Sequence, residues 1–266
     1  MAIRLLNPAR LEEVRTFWED AARRVKAYHE APSTQLYFEQ EKNLVQEFFA
    51  PLSNLLFLKT DLWNEAKNTQ LLWWFQSQRG KAVGIDISWA VLREAREKRL
   101  GGADEAWLLL ADVRELPFLD NSFSGIYSMG TIEHFAETEL AISELYRVLK
   151  PGGKAIIGVP NKHDLFLRPL HVFILNKLGL YDFGQEKSFS RIQLRSMLEK
   201  AGFKVKMEGS LLFLPGLLRM VDLYCYHHAP FFLPWTKLML KPFVFLYNLV
   251  DFFRKRGYLL AMGVEK

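Results

Sequence analysis

The chain has 266 residues, half of them hydrophobic and 24% charged, which suits one folded domain with insertions and excludes a disordered chain. A single cysteine, Cys225, excludes an internal disulfide, and no stretch reaches the roughly 18 uncharged apolar residues of a spanning helix. The run Met1 to Pro8 is too poor in apolar residues for a signal peptide, so a cytoplasmic protein is expected. The net charge of +5 sits in the last quarter, where Phe203 to Lys266 holds nine Lys and Arg against four Asp and Glu.

Leu11, Val14, Trp18 and Ala22 recur at helical spacing and predict a helix over 8–26. Leu36, Phe38, Leu44, Phe48 and Phe49 predict a second over 34–49, so residues 1–50 read as a helical cap. The apolar run 54–60 reads as the first strand. Strand 81–86, helix 88–99, strands 106–110 and 124–129, helix 137–149 and strand 154–159 follow. Helix 190–202 and strands 203–208 and 258–264 complete the pattern, and the last two are expected as an antiparallel edge. This alternation predicts a parallel sheet with helices on both faces.

Two apolar inserts, 162–187 and 209–256, interrupt the alternation. Pro215, Pro230, Pro234 and Pro242 are expected to break the second into short helices. In 235–255 the polar residues Lys237, Lys241, Asn248, Asp251 and Lys255 keep to a narrow stripe. The wide apolar face that remains needs cover from the domain, a ligand or a bilayer.

Asp86 closes the strand Ala-Val-Gly-Ile and opens a helix, where a carboxylate can accept both ribose hydroxyls of a nucleoside. Ser88 is the better candidate for the helix cap. Asp112 follows the next strand by two residues and suits either a ligand contact or a turn. Glu133 and His134 follow strand 124–129, on the side where open α/β sheets bind ligands. His134 is a candidate general base, although a packing role for the pair is equally open. Pro151 and Gly152-Gly153 end a helix and reverse the chain into the next strand. His227-His228 beside Cys225 lacks a carboxylate at metal-ligand spacing, so packing is expected there.

In this order, Gly84-Ile-Asp-Ile-Ser88, Leu108 to Val113, Asn121 to Tyr127, Glu133-His134-Phe135 and Glu144 to Asn161 closely resemble class I S-adenosylmethionine-dependent methyltransferases of the small-molecule, type 11-like group. The resemblance runs from about Asn54 to Phe203 and resumes in the last strand. It implies an α/β fold, a Rossmann-like doubly wound sheet that is mostly parallel with an antiparallel last strand. It further implies one domain over 1–266, with the inserts 162–187 and 209–256 and the cap 1–50 roofing an acceptor pocket. S-adenosylmethionine is the implied cofactor, with Asp86 at the ribose, Asp112 at the adenine amino group, Ile87 and Val113 as adenine walls, and Met129 as a further contact.

One motif departs from the resemblance. The family places an acidic residue after the first strand, followed by alternating glycines, because a Cβ would block close approach to the cofactor. Here the segment reads Phe57-Leu-Lys-Thr-Asp-Leu-Trp-Asn-Glu-Ala-Lys67. With Asp61 as the acidic residue, Trp63, Glu65 and Lys67 stand where glycines would fall. Either the loop takes a different path, with Asp61, Asn64 or Glu65 holding the cofactor's ammonium group and Asp61 the leading candidate, or binding is lost. Gly130 stands where some quinone-type members carry a metal-binding carboxylate, so no metal is expected.

The implied function is methyl transfer to a lipophilic small-molecule or lipid-like acceptor. The alternative is a methyltransferase-like binding or scaffold protein that lost cofactor binding with its glycines. A nucleic-acid partner is not expected, since no Asn/Asp-Pro-Pro-Tyr-like block follows strand 124–129. Cations beside Phe, Leu and Trp in 209–256, closing with Arg254-Lys255-Arg256, point to an anionic membrane surface or a lipophilic anion; the first would give the chain a peripheral place on the inner membrane face.

Overall fold

The structure is a computed structural model that describes residues 8–98, 106–179, 181–184 and 186–266. The start of the chain, and residue 99 of the expected helix 88–99, lie outside the described residues.

Helices α1 (Pro8–Arg24) and α2 (Pro32–Phe49) precede β1 (Leu56–Lys59). Two short helices follow, α3 (Trp63–Lys67) and α4 (Leu71–Ser77), then β2 (Lys81–Asp86) and α5 (Trp89–Glu97). Next come β3 (Trp107–Leu110), β4 (Phe123–Met129), α6 (Thr138–Val148) and β5 (Leu149–Pro160). The first insert carries α7 (Arg168–Lys177), and α8 (Arg191–Lys200) leads into β6 (Lys204–Leu211). The second insert carries α9 (Gly216–His228), α10 (Leu233–Leu249) and α11 (Asp251–Arg254) before β7 (Leu259–Glu265).

The seven strands form one sheet in the order β3-β2-β1-β4-β5-β7-β6. From β3 to β5 every pairing is parallel, and β7 runs antiparallel to both β5 and β6. Alternate side chains feed two cores, as the two-residue period of a strand requires. Phe57, Tyr127, Ile156 and Ala261 face the core under α2, α4 and α5. Leu58, Ile126, Ala155 and Val264 face the other, under α6 and α8.

The second insert differs from its expectation. Its prolines leave two long helices of 13 and 17 residues. Pro215 precedes α9, Pro230 lies in a single 3-10 turn, and Pro234 takes the first turn of α10, where its missing N–H removes no helical bond. Pro242 lies inside α10 at an exposed position, where water can serve a freed carbonyl.

Candidate functional site

Strand order reverses between β1 and β4, and at such a switch point the carboxyl ends of the strands leave a crevice. A cavity of about 680 Å³ opens there, within the usual size of small-molecule sites. Thr60, Asp61, Asp86, Ile87, Met129 and Pro160, at or just past the strand ends, line its base. Trp18 of α1 lines it too, as do Val172 and Leu175 of α7 and Met220 and Tyr224 of α9.

Asp86 ends β2 and is held by two backbone amides. The Leu62 N–H donates to its Oδ2 at 2.9 Å and the Ser88 N–H to its Oδ1 at 2.8 Å. Ser88 caps α5 by accepting the Val91 N–H at 3.2 Å. Each carboxylate oxygen of Asp86 keeps acceptor capacity for a ligand hydroxyl. Burial pushes its pKa up to about 7, against the lowering pull of the two N–H bonds. Ile87, Ala111 and Val113 line the cavity beside it.

Asp112 is turned elsewhere. The Arg114 side chain donates Nε at 3.0 Å and Nη2 at 2.7 Å to its two oxygens, and the Arg114 backbone N–H adds a further bond at 2.8 Å. Arg114 continues to Glu137 at 3.0 Å. A guanidinium fork of this kind engages both oxygens. The structure therefore brings the neighbours of Asp112 to the cavity, but not its carboxylate.

After β1, side chains fill the space that glycines would leave open. Leu62 is wholly buried, and Gly84 of β2 makes its room: a Cβ on Gly84 would lie 2.5 Å from Leu62 Cδ2. Here the required missing side chain is on the strand rather than in the loop. Lys59 is fully buried, donating to the Asp61 carbonyl at 2.6 Å and to Asp61 Oδ2 at 3.0 Å, and it pairs with Glu65 Oε2 at 3.0 Å. Burial works to lower its pKa, but Asp61, Glu65 and Glu41 together hold it above the usual lysine value. Glu65 Oε1 accepts the Leu72 N–H at 2.8 Å and so ties α3 to α4. Polar residues after a buried strand are costly without partners, and here they largely satisfy one another. Asp61, Trp63 and Asn64 still line the cavity, whereas Glu65 is sealed beneath it and Lys67 pairs with Glu94 at 2.5 Å.

Aromatic rings line one wall. Trp18 meets His134 edge-on at 4.9 Å and Trp63 at 5.8 Å, and Trp63 meets Phe183 at 5.4 Å. Glu133 and His134 occupy a 3-10 turn after β4, with Glu133 Oε1 3.9 Å from His134 Nε2. Glu133 Oε2 is buried without a hydrogen-bond partner among the described residues. Burial, and then the charge of Glu186, hold this carboxyl well above the usual range.

The first insert supplies a polar cluster to the same cavity. Arg168 pairs with Glu186, donates Nη2 to the Tyr181 hydroxyl at 3.2 Å, and stacks on the Tyr258 ring at 4.1 Å. The Tyr181 hydroxyl donates to Glu186 Oε2 at 2.8 Å. Sequence reasoning misses Arg168, Tyr181, Glu186 and Tyr258 as site residues, along with the ring of Trp18. The available signal was the charge of Arg168 inside the mostly apolar run Leu165 to Ile174. His227 and His228 line the cavity and pack against Tyr226 and Tyr224.

Residues 67–157 match the family described as methyltransferase domain. A demethylmenaquinone methyltransferase of Thermus thermophilus is 38% identical over 144 residues, covering 48% of this chain and 66% of that protein. Magnesium protoporphyrin IX methyltransferase of Synechocystis PCC 6803, solved with bound SAH, superposes with a TM-score of 0.62 at 15% identity, over 96% of this chain and 99% of that one. This chain carries a class I S-adenosylmethionine-dependent methyltransferase domain. The cyclase SpnF also superposes on the methyltransferase domain, with a TM-score of 0.59 at 17% identity over 97% of this chain and 94% of that one. Its name shows that the fold alone leaves the reaction open. The chain spans 32% to 66% of the length of the first curated relatives it matches. The match to the methyltransferase family begins at Lys67, just past the loop that lacks its glycines.

Proposed function

We propose that the chain transfers the sulfonium methyl group of S-adenosylmethionine to a nucleophile on a lipophilic small-molecule acceptor. The observation that carries this reading is Asp86, held at the cavity by the Leu62 and Ser88 amides with acceptor capacity to spare. That arrangement fits the ribose diol, and Ile87 and Val113 supply apolar walls for an adenine ring. Asp61 and Asn64 would take the ammonium end, and Met129 would pack near the methionine chain. When bound, the cofactor supplies an electrophilic methyl group, and the protein's share is alignment and the exclusion of water.

The chain's own residues divide that work. The faces of Trp18, Trp63 and Phe183 exclude water and favour a cation beside them. His134 is the candidate base for the acceptor proton, and Glu133, whose protonated form is favoured by burial and by the charge of Glu186, would in that form donate a hydrogen bond into the cavity. Val172, Leu175, Met220 and Leu223 make the acceptor side apolar, with Arg168 and Glu186 at a polar end. A relative named for demethylmenaquinone supports a greasy acceptor of that kind.

One observation favours the alternative, a binding or scaffold protein without cofactor: Lys59 already balances Asp61 from within the chain. Incubation with methyl-labelled S-adenosylmethionine and a membrane lipid extract separates the two. Label should enter the organic phase with the wild type and fall sharply with Asp86→Asn. Retained cofactor binding with no transfer to any extract would leave a binding protein, and absent cofactor binding would leave the scaffold.

A further inference from the structure

Helices α7, α9 and α10 each bury one stripe and expose a second that is also apolar. On α9, Leu217, Val221 and Tyr224 are exposed at helical spacing. On α10, Thr236 and Leu240 face inward while Trp235, Leu238, Phe245 and Leu249 face out, with Trp235 64% and Leu249 66% exposed. Leu170, Phe173 and Ile174 do the same on α7. The turn between α9 and α10 adds Phe231, 72% exposed, and Phe232.

These stripes adjoin. Gly216 of α9 lies against His171 of α7, α9 packs on α10, and the Phe166 ring before α7 meets Phe243 of α10 at 5.6 Å. Met220 and Tyr224 belong both to the exposed side of α9 and to the cavity lining, so the outer apolar surface runs into the cavity mouth. An apolar surface of this extent is unusual on a monomer and marks a contact site.

Charge identifies the partner. From Gly216 to Leu249 the one acidic residue is Asp222, which is buried and accepts the Ser33 N–H at 2.8 Å and the Thr236 hydroxyl at 2.5 Å. Lys237 and Lys241 are exposed on α10, Lys177 at the end of α7, and Lys26 after α1. The run Arg254-Lys255-Arg256 is used within the protein instead. Arg254 donates to the Tyr247 and Asn248 carbonyls, Lys255 pairs with Asp251 at 2.6 Å, and Arg256 stacks on Phe252 at 4.2 Å. A second copy seated here would set like charges together and cover the mouth. A bilayer bearing anionic headgroups satisfies the apolar stripes and the lysines at once, and leaves the mouth against a phase that holds greasy molecules.

We infer that the α7, α9 and α10 face docks on an anionic lipid bilayer, with Phe231, Phe232 and Trp235 seated at the interface and the cavity mouth turned to the lipid. Aromatic rings favour that depth. The inference rests on the proposed reaction only for the acceptor that enters; docking is measured without cofactor, so its failure leaves cofactor binding untouched.

The test is cosedimentation of the chain with phosphatidylcholine vesicles and with vesicles roughly one third phosphatidylglycerol, at low and high salt. Binding is expected on the mixed vesicles and should weaken as salt rises. Lys237→Gln and Lys241→Gln should each weaken it about fivefold on mixed vesicles and leave neutral ones unaffected. Combined Phe231→Ser, Trp235→Ser and Leu238→Ser should abolish it while cooperative unfolding in urea persists as the check on folding. No binding to mixed vesicles would overturn the inference. So would a sedimentation-equilibrium dimer that these serine substitutions return to monomer, since the face would then join two copies. Equal binding to both vesicle types would overturn the anionic partner.

Discussion

Lys59 carries a charge at the buried end of β1, and the carboxylates of Asp61, Glu65 and Glu41 compensate for its burial. Lys59→Met should leave Asp61 and Glu65 without their cation and destabilise the fold by about 3–5 kcal/mol in urea denaturation. A loss below about 1 kcal/mol would show the cluster to be dispensable. Asp86 and Glu41 both sit near 7 in the folded chain, raised chiefly by burial. The folded form therefore keeps protons that an unfolded carboxyl has already released. Their contribution to stability is full below about pH 4 and is lost as pH rises through 7. Between pH 5 and 7 the ligand-free chain should lose on the order of 1 kcal/mol per pH unit for each group, read from urea midpoints. Cofactor affinity should run the other way, because hydroxyl donors favour ionised Asp86. Binding should strengthen about tenfold from pH 6 to 8 and release a proton below pH 7, which calorimetry in buffers of different ionisation enthalpy detects. A pH-independent affinity would remove Asp86 from the ribose site.

At the level of elements, β2 and the turn after β1 are matched through one missing side chain. Gly84→Ala should drive a Cβ into Leu62, cost about 1–3 kcal/mol, and weaken the cofactor by displacing the amide that holds Asp86. Pairing it with Leu62→Ala should recover part of the loss, and strictly additive effects in the double-mutant cycle would contradict the coupling. The sheet was legible because its central strands are apolar runs between helices with clear periodicity; β2, for example, spans the expected 81–86. The turn after β1 was not, because α3 has five residues and is held from a distance, by the Tyr28 N–H on the Lys67 carbonyl and by Glu65 on Leu72. No local period can report such bonds. Asp61, Asp86, Ile87, Val113, Met129, Glu133 and His134 meet at one cavity as their order along the chain suggested. Asp112 does not, because its partner Arg114 lies two residues away and a turn residue can bind its own neighbour as readily as a ligand.

For the whole molecule, the N-terminal helix is latched to the sheet beside the site. Glu19 of α1 accepts the Trp89 N–H at 2.5 Å and the Ala90 N–H at 3.1 Å, which places a carboxylate at the start of α5, where a helix favours negative charge. Trp18 lies one residue earlier and lines the cavity. Cofactor binding should therefore change tryptophan fluorescence through Trp18 and Trp63, and Glu19→Gln should weaken binding while leaving global stability within about 1 kcal/mol. An unaltered affinity in that variant would make α1 a bystander. The central claim is that a glycine-free turn, supported from β2 by Gly84, still presents Asp86 to a nucleoside. Titration calorimetry of the 266-residue chain with S-adenosylhomocysteine tests it most directly. The prediction is one-site binding that Asp86→Asn weakens by on the order of 1.5–3 kcal/mol in a variant that still unfolds cooperatively. No binding to the wild type, or equal binding to the folded variant, would contradict it.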